Sequence, residues 1–290
     1  MKLLVLGDFQ GTFSDKLMKK LKKEEFDVII GVGDYGGISD WRPWVMQNLK
    51  DARKGKEYLT AEEYFGKKRL KLLIKKDMGA TRIVFKKIEY FGKPFISVFG
   101  NGDDGWYKYP FVSHMPKLEK RNAAFLKKLK NFKDITYKQT KINKINFIGF
   151  GGYMDIEAYL DKKVFPESAE KEKYFARLNR LKSSRKQLFK RLKKIKGEKI
   201  FVFHYPSLGA FDIIRDKKDN PMNGKSSGVR FFKEAIKKYK PKLVLCGHMH
   251  EYQGVKKIDS TFIINPGDAE KGKYTVVDIQ DKKIKVKFIK

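Results

Sequence analysis

DVIIGVGDYGG, residues 27–37, joins an apolar run to a glycine-rich turn. Val28, Ile29 and Ile30 suit a buried strand. The turn behind them sets Gly31, Gly33 and Gly36 in the G-x-G-x-x-G order of a dinucleotide-binding loop. It also holds Asp34, a carboxylate placed directly after the apolar run. On its own the stretch admits two readings, a cradle for a pyrophosphate or a loop that holds a metal.

Working outward, short β-rich runs alternate with helical patterns along most of the 290 residues: Leu3–Leu6, Val28–Val32, Phe95–Phe99, Ile145–Phe150, Ile200–Phe203 and Leu243–Cys246. That alternation predicts an α/β sheet protein. After Cys246 the pattern becomes strands joined by turns (YQGVKKID, STFIINPGD, KYTVVDIQD, KIKVKFIK), which predicts an antiparallel end to the sheet system. Two stretches exceed ordinary connections and read as helical insertions in a single domain spanning 1–290, one at about 40–93 and one at about 155–197. Within the second, residues 177–196 carry ten Lys/Arg and no acid, while Leu178, Leu181, Leu188, Leu192 and Ile195 recur at helical spacing. One face should pack and the other remain positive, either as a solvated helix back or as a lid or nucleic-acid surface.

Polar residues fall at the ends of the strand-like runs. Asp8 and Gln10 follow the first, Asp34 the second, Asn101 and Asp103 the third, His204 the fifth, and His248 and His250 the sixth. Loops at the carboxyl ends of strands in an open α/β sheet converge on one crevice. Carboxylates, amides and three of the chain's four histidines should therefore meet at one spot. Each motif alone is weak; together and in this order they are specific.

The set resembles the calcineurin-like metallophosphoesterase family, whose motifs run Asp-x-His, Gly-Asp, Gly-Asn-His-Asp/Glu, a lone His and Gly-His-x-His. Here they read GDFQG (7–11), GVGD (31–34), GNGDD (100–104), FHYP (203–206) and GHMH (247–250), and INPGD (264–268) is similar to a turn of smaller members. The resemblance implies a two-sheet β-sandwich flanked by helices, an α-β-β-α arrangement, and two divalent ions. Asp8, Gln10 and His250 would serve one ion, Asn101, His204 and His248 the other, and Asp34 would bridge both. The mixed nitrogen and oxygen ligands suit Mn²⁺ first, with Fe, Zn²⁺, Ni or Mg²⁺ as alternatives. The implied chemistry is two-metal hydrolysis of a phosphate ester, with Asp34, Asn101 and Asp103 as catalytic residues and Asn101 as a substrate contact. A dinucleotide turn must launch a helix at its second and third glycines, with an acid about 20 residues on. Helix-compatible sequence starts only near Ser39–Asp40, with Pro43 soon after, so the opening stretch reads as a metal loop.

Two positions depart from the family. Gln10 replaces the first-motif His, and its amide oxygen suits a hard cation better than a borderline one. Gly102 replaces the His that would protonate a leaving group, help worth ~10²–10⁴-fold, unless Asp103, Asp104 or a lysine takes over. A site without that His leans toward phosphodiesters. The alternative is a weak or inactive scaffold on the same fold, since the family includes a retromer subunit regarded as inactive. Ser226 and Ser227 could cap a helix starting near Val229 and offer amides to a phosphate, with plain capping as the competing reading. His114 reads as structural or surface, Cys246 as a buried apolar residue, and Trp41, Trp44 and Trp106 as core or cleft lining.

Composition sets the context. Hydrophobic residues at 41% and aromatics at 14% suit a folded globule. One cysteine rules out an intrachain disulfide and suits a reducing, cytoplasmic setting, and no apolar run approaches membrane-spanning length. A balance of 66 basic to 34 acidic residues, +32 in all, favours anionic partners such as nucleotides or nucleic acid, though a generic lysine-rich surface explains it equally well.

Overall fold

In the computed structural model, which describes residues 1–107, 116–162, 166, 170–280 and 283–290, the apolar runs become strands whose two faces are both covered. The strands are β1 (Lys2–Leu6), β2 (Val28–Gly31), β3 (Phe95–Ser97), β4 (Phe132–Asp134), β5 (Gln139–Ile142), β6 (Ile145–Phe150), β7 (Lys199–Phe203), β8 (Leu243–Leu245), β9 (Gly254–Ile258), β10 (Thr261–Asn265), β11 (Tyr274–Gln280) and β12 (Lys283–Ile289). Along β1, Leu3 and Val5 belong to one buried cluster and Leu4 and Leu6 to another. A strand that is apolar on both faces needs a layer on each side. The layers are supplied by two six-stranded sheets, ordered β12-β11-β1-β2-β3-β4 and β5-β6-β7-β8-β10-β9. Between them lies a core of Leu3, Val5, Ile30, Val98, Phe147, Val202, Leu245 and Ile264.

Helices α1 (Asp15–Leu21), α4 (Lys67–Glu89), α5 (Pro116–Leu126), α6 (Lys171–Leu192) and α7 (Arg230–Tyr239) cover the outer faces, giving the two-sheet α/β sandwich. Between β2 and α4 the chain also forms α2 (Arg42–Ala52) and α3 (Ala61–Phe65). Val84, Phe85 and Ile88 of α4 sink into the outer core of the first sheet. Leu181, Leu188 and Leu192 of α6 do the same on the second, with Phe232 and Ile236 of α7. Both long stretches between strands thus contribute helices to these outer layers.

Strands β1 to β4 run parallel, as do β6 to β8, so their carboxyl ends share one edge of the sandwich. The expected antiparallel end divides. The β11–β12 hairpin joins the first sheet, whereas β9–β10 joins the second, with β10 parallel to β8. Among the described residues no helix is long and apolar enough to cross a membrane. His114 lies outside the described residues.

Phe85 is fully buried, and its ring meets those of Tyr35, Phe95, Phe99, Trp106 and Phe132. Phe85→Ala should destabilise the protein by about 3–5 kcal/mol, read as a lower urea midpoint with an unchanged slope.

Candidate metal centre

The loop after β1 and the loop after β2 are bonded to each other backbone to backbone. Asp8 N donates to Gly33 O (2.9 Å), Phe9 N and Gln10 N to Asp34 O (2.8 and 3.2 Å), and Gly11 N to Tyr35 O (2.9 Å). Asp8, Gln10, Asp34 and His248 all hold left-handed backbone, with φ of 55°, 47°, 55° and 68°. For non-glycine residues that conformation costs about 1–3 kcal/mol each and gathers at functional sites. Gly33 allows the approach of the neighbouring loops: a Cβ there would fall 2.6 Å from Gly100 N and from His204 Nδ1.

Two groups of ligand atoms result, Asp34–His204–His248 and Asp8–Asp34–His250, each with its atoms within 4.8 Å of one another. Asp34 belongs to both. In the first group Asn101 Oδ1 lies 2.8 Å from His204 Nε2 and 2.8 Å from His248 Nδ1, and Asp34 Oδ1 lies 3.5 Å from His204 Nε2. In the second, His250 Nε2 lies 3.5 Å from Asp8 Oδ1 and 3.9 Å from Asp34 Oδ2. The Gln10 amide end sits 3.5 Å from both His250 Nε2 and Asp34 Oδ2. All seven residues expected as ligands are therefore brought together.

Electrostatics suit cation binding. His204 Nδ1 faces Val32 O at 2.8 Å; a proton there donates to the carbonyl and leaves the Nε2 lone pair facing Asn101 and Asp34. Burial and the neighbouring His204 hold the His248 imidazole down at about 3, so it is neutral at pH 7. Burial opposes ionisation of Asp34, but His204, His250 and His248 outweigh it and hold its carboxyl below the usual range. Burial likewise opposes charge on His250, yet the Asp8 and Asp34 carboxylates raise its pKa well above the ordinary imidazole value. One atom is left over: Asp8 Oδ2 is buried with no hydrogen-bond partner among the described residues. A buried carboxylate oxygen in that state calls for a cation. The donor set and this orphaned oxygen fit a pair of divalent ions.

A two-sheet α/β sandwich with acidic and imidazole clusters at the shared strand edge defines a metal-dependent phosphoesterase class. The chain belongs to the calcineurin superfamily of metallophosphoesterases, whose family model matches residues 1–289. No protein with a curated description matches the sequence. Among solved structures it is similar to a dimetal phosphatase from Danio rerio (TM-score 0.53, 10% identity, 99% of this chain and 95% of that one). It is similar also to the protein TT1561 of Thermus thermophilus (TM-score 0.50, 18% identity, 99% and 98%). A third is a phosphopantetheinyl hydrolase from Mycobacterium tuberculosis (TM-score 0.50, 10% identity, 93% and 90%). At these identities the likeness is one of fold.

Three expected site residues are placed elsewhere in the fold's logic. Asp103 is fully buried, and its carboxylate accepts from Asp34 N and Gly100 N at one oxygen (2.9 and 2.7 Å) and from Tyr35 N and Gly36 N at the other (2.8 and 2.9 Å). Both its oxygens are taken up by backbone donors, so it clamps the metal loop. Ser226 donates to Asp212 Oδ2 (2.6 Å) and accepts from Gly228 N (3.1 Å). Ser227 is buried beneath the His248–His250 loop, with Oγ on Met249 Sδ (3.1 Å). Residue 229 is the N-cap of α7, without a side-chain bond, so neither serine caps that helix. Cys246 is buried as expected, and Trp106 is core while Trp41 and Trp44 are half-buried. Asn265 of INPGD, which donates to Met249 O (3.2 Å) beneath that loop, is a support the motif pattern alone marked only as a turn.

Because His250 carries a proton that an entering ion must displace, uptake at the Asp8–Asp34–His250 group should release about one proton and weaken as pH falls. Calorimetric titration with Mn²⁺ in buffers of different ionisation heat reads the proton count. A second prediction concerns the clamp. Asp103→Asn turns one acceptor into an N–H₂ facing backbone donors and should cost about 2–5 kcal/mol, measured by denaturant unfolding.

Proposed function

We propose that the protein is a metal-dependent phosphodiesterase acting on a nucleotide or nucleic-acid-like phosphate ester, with Mn²⁺ the favoured ion. The observation that carries the reading is Asp34 shared between two ligand groups, beside the orphaned Asp8 Oδ2. Asp8, Gln10, Asp34 and His250 would hold one ion, and Asp34, Asn101, His204 and His248 the other. When bound, such a pair supplies Lewis acidity toward phosphoryl oxygens and acidifies water.

The chain's own residues do the rest. Asn101 turns Oδ1 to the two imidazoles, so its half-exposed amide N–H₂ is free to orient a phosphoryl oxygen. At the neighbouring position Gly102 has no side chain to protonate a leaving group, and Asp103 cannot replace it. Such a site favours substrates whose leaving group needs little help, and the lack of a side chain at Gly102 suits a phosphorus carrying two ester groups. A small nucleotide-like substrate fits better than a strand laid on α6. Lys196 O and Glu198 O accept from Asn146 Nδ2 at 3.0 Å each, which puts the basic carboxyl end of α6 beside the amino end of β6, opposite the metal edge. The lone buried Cys246 suits the cytoplasm.

The test is hydrolysis of bis-p-nitrophenyl phosphate and p-nitrophenyl phosphate by Mn²⁺-loaded protein. Diester turnover should exceed monoester turnover and fall to background with chelator or in Asp34→Asn. Faster monoester hydrolysis would sink the diester preference. Metal-loaded protein inert toward both, and toward cyclic and linear dinucleotides, would favour the scaffold reading to which Gln10 and Gly102 lean.

A further inference from the structure

Asp77 sits in the middle of α4 and is 5% exposed. Leu73, Asp77, Thr81, Val84 and Ile88 form one buried stripe of that helix, and Asp77 is its only acid. A carboxylate on such a face is costly unless it is hydrogen-bonded. Its partners come from one short segment, the turn that follows Asp34. Oδ1 accepts from Gly37 N (3.0 Å) and Ile38 N (3.4 Å), and Oδ2 accepts from the Trp41 indole Nε1 (2.9 Å). The three amides before these, at 34, 35 and 36, end on Asp103. Five successive N–H groups are thus held by two buried carboxylates.

Close seating of α4 is built into the glycines. A Cβ at Gly36 would fall 2.7 Å from Thr81 Oγ1 and 3.2 Å from Asp77 Oδ1. A Cβ at Gly11, just after Gln10, would fall 2.5 Å from Ile38 Cγ2 and 3.0 Å from Ala80 Cβ. The helix therefore rests on the two loops that supply Asp8, Gln10 and Asp34. Anchorage of α4 to the sheet is a separate matter, supplied further along the helix by Val84, Phe85 and Ile88.

We propose that Asp77 is a positioning residue for the metal centre. Through one oxygen it sets the left-handed turn behind Asp34, and through the other it fixes the Trp41 indole beside that turn. The inference rests on the reading that the Asp34 loop holds metal, and it can fail while that reading stands.

The experiment is Mn²⁺ titration by calorimetry, with far-UV circular dichroism as the fold control. It compares the full chain with Asp77→Ala, Asp77→Asn, Trp41→Phe and the Trp41→Phe/Asp77→Asn pair. Asp77→Ala should weaken Mn²⁺ binding about 10–100-fold with its helical signal kept. Asp77→Asn should also bind weakly, because its amide N–H₂ faces the indole N–H. Removing that donor leaves Oδ1 for Gly37 and Ile38, so the double variant should recover to within about threefold of Trp41→Phe alone. A mere packing role predicts no such rescue. Folded Asp77→Ala that binds as the parent does overturns the inference, and so does a double variant no better than Asp77→Asn. Should Asp77→Ala fail to fold, that rescue comparison decides alone. A parent protein that takes up no Mn²⁺ would instead sink the metal reading itself.

Discussion

Four carboxylates are buried around the loops of the centre, which is organised by how each is satisfied. Asp8, Asp34, Asp77 and Asp103 are all 5% exposed or less. Burying an unpaired carboxylate is costly enough that each needs donors or a cation. Asp103 has four backbone amides, and Asp77 has two amides and an indole. Asp34 has one backbone amide, Gly102 N at 2.8 Å, and the Gln10 side-chain amide at 3.5 Å, with imidazoles around it. Among the described residues Asp8 accepts from His248 N at one oxygen and from no donor at the other. Hydrogen bonding thus declines from the residues that support the loops to those that face the cleft. Positive charge, from imidazoles or from ions, is needed where the amides run out.

The same accounting explains what could be read from sequence. Ligand positions were legible because apolar period marks the strands, and parallel strands put the residues just beyond them on one edge. Strands β4 and β5 were not legible, since they are short and carry half-buried or exposed polar residues. The division of the two carboxyl-terminal hairpins between sheets was hidden as well, because a hairpin pattern records its own pairing and not its neighbours. The clamp made by Asp103 was not legible, because sequence shows a carboxylate at a strand end without showing which way it turns. With Ser226 and Ser227, residue chemistry suggested capping, while the chain continues three residues further before α7 begins at Arg230. Asp77 carried a usable signal, an acid on the apolar stripe of a helix.

Part of the basic excess behind the +32 charge is tied up in ion pairs. Arg180 on α6 is taken up by buried Asp155 at 2.6 Å, and Arg185 by Glu234 at 2.9 Å. The exposed lysines toward the end of that helix lie away from the ligands. A field spread this way raises the local concentration of phosphate esters at low salt and fades within about 10 Å at 0.1 M ionic strength. It assists encounter and says little about which ester is chosen.

The two departures from the family pattern, Gln10 and Gly102, are structurally linked. A Cβ at residue 102 would sit 3.2 Å from Asp34 Oδ1 and 3.3 Å from Gly37 Cα, tighter than an ordinary contact. Gly37, with φ of 74°, is the residue whose amide Asp77 holds. The Asn101 loop and the Asp34 loop therefore meet backbone to backbone at Gly37 and Gly102, and a histidine at 102 would have to push them apart. Gln10 lies on the other side of the same turn, its Oε1 3.7 Å from where a Gly37 Cβ would be. With Gln10, the group around Asp8 is oxygen-rich, while the group around Asn101 keeps two imidazoles. Oxygen donors favour hard cations and imidazoles favour borderline ones. The turn seated on α4 thus sets both the spacing of the two loops and the unequal donor chemistry of the two ligand groups.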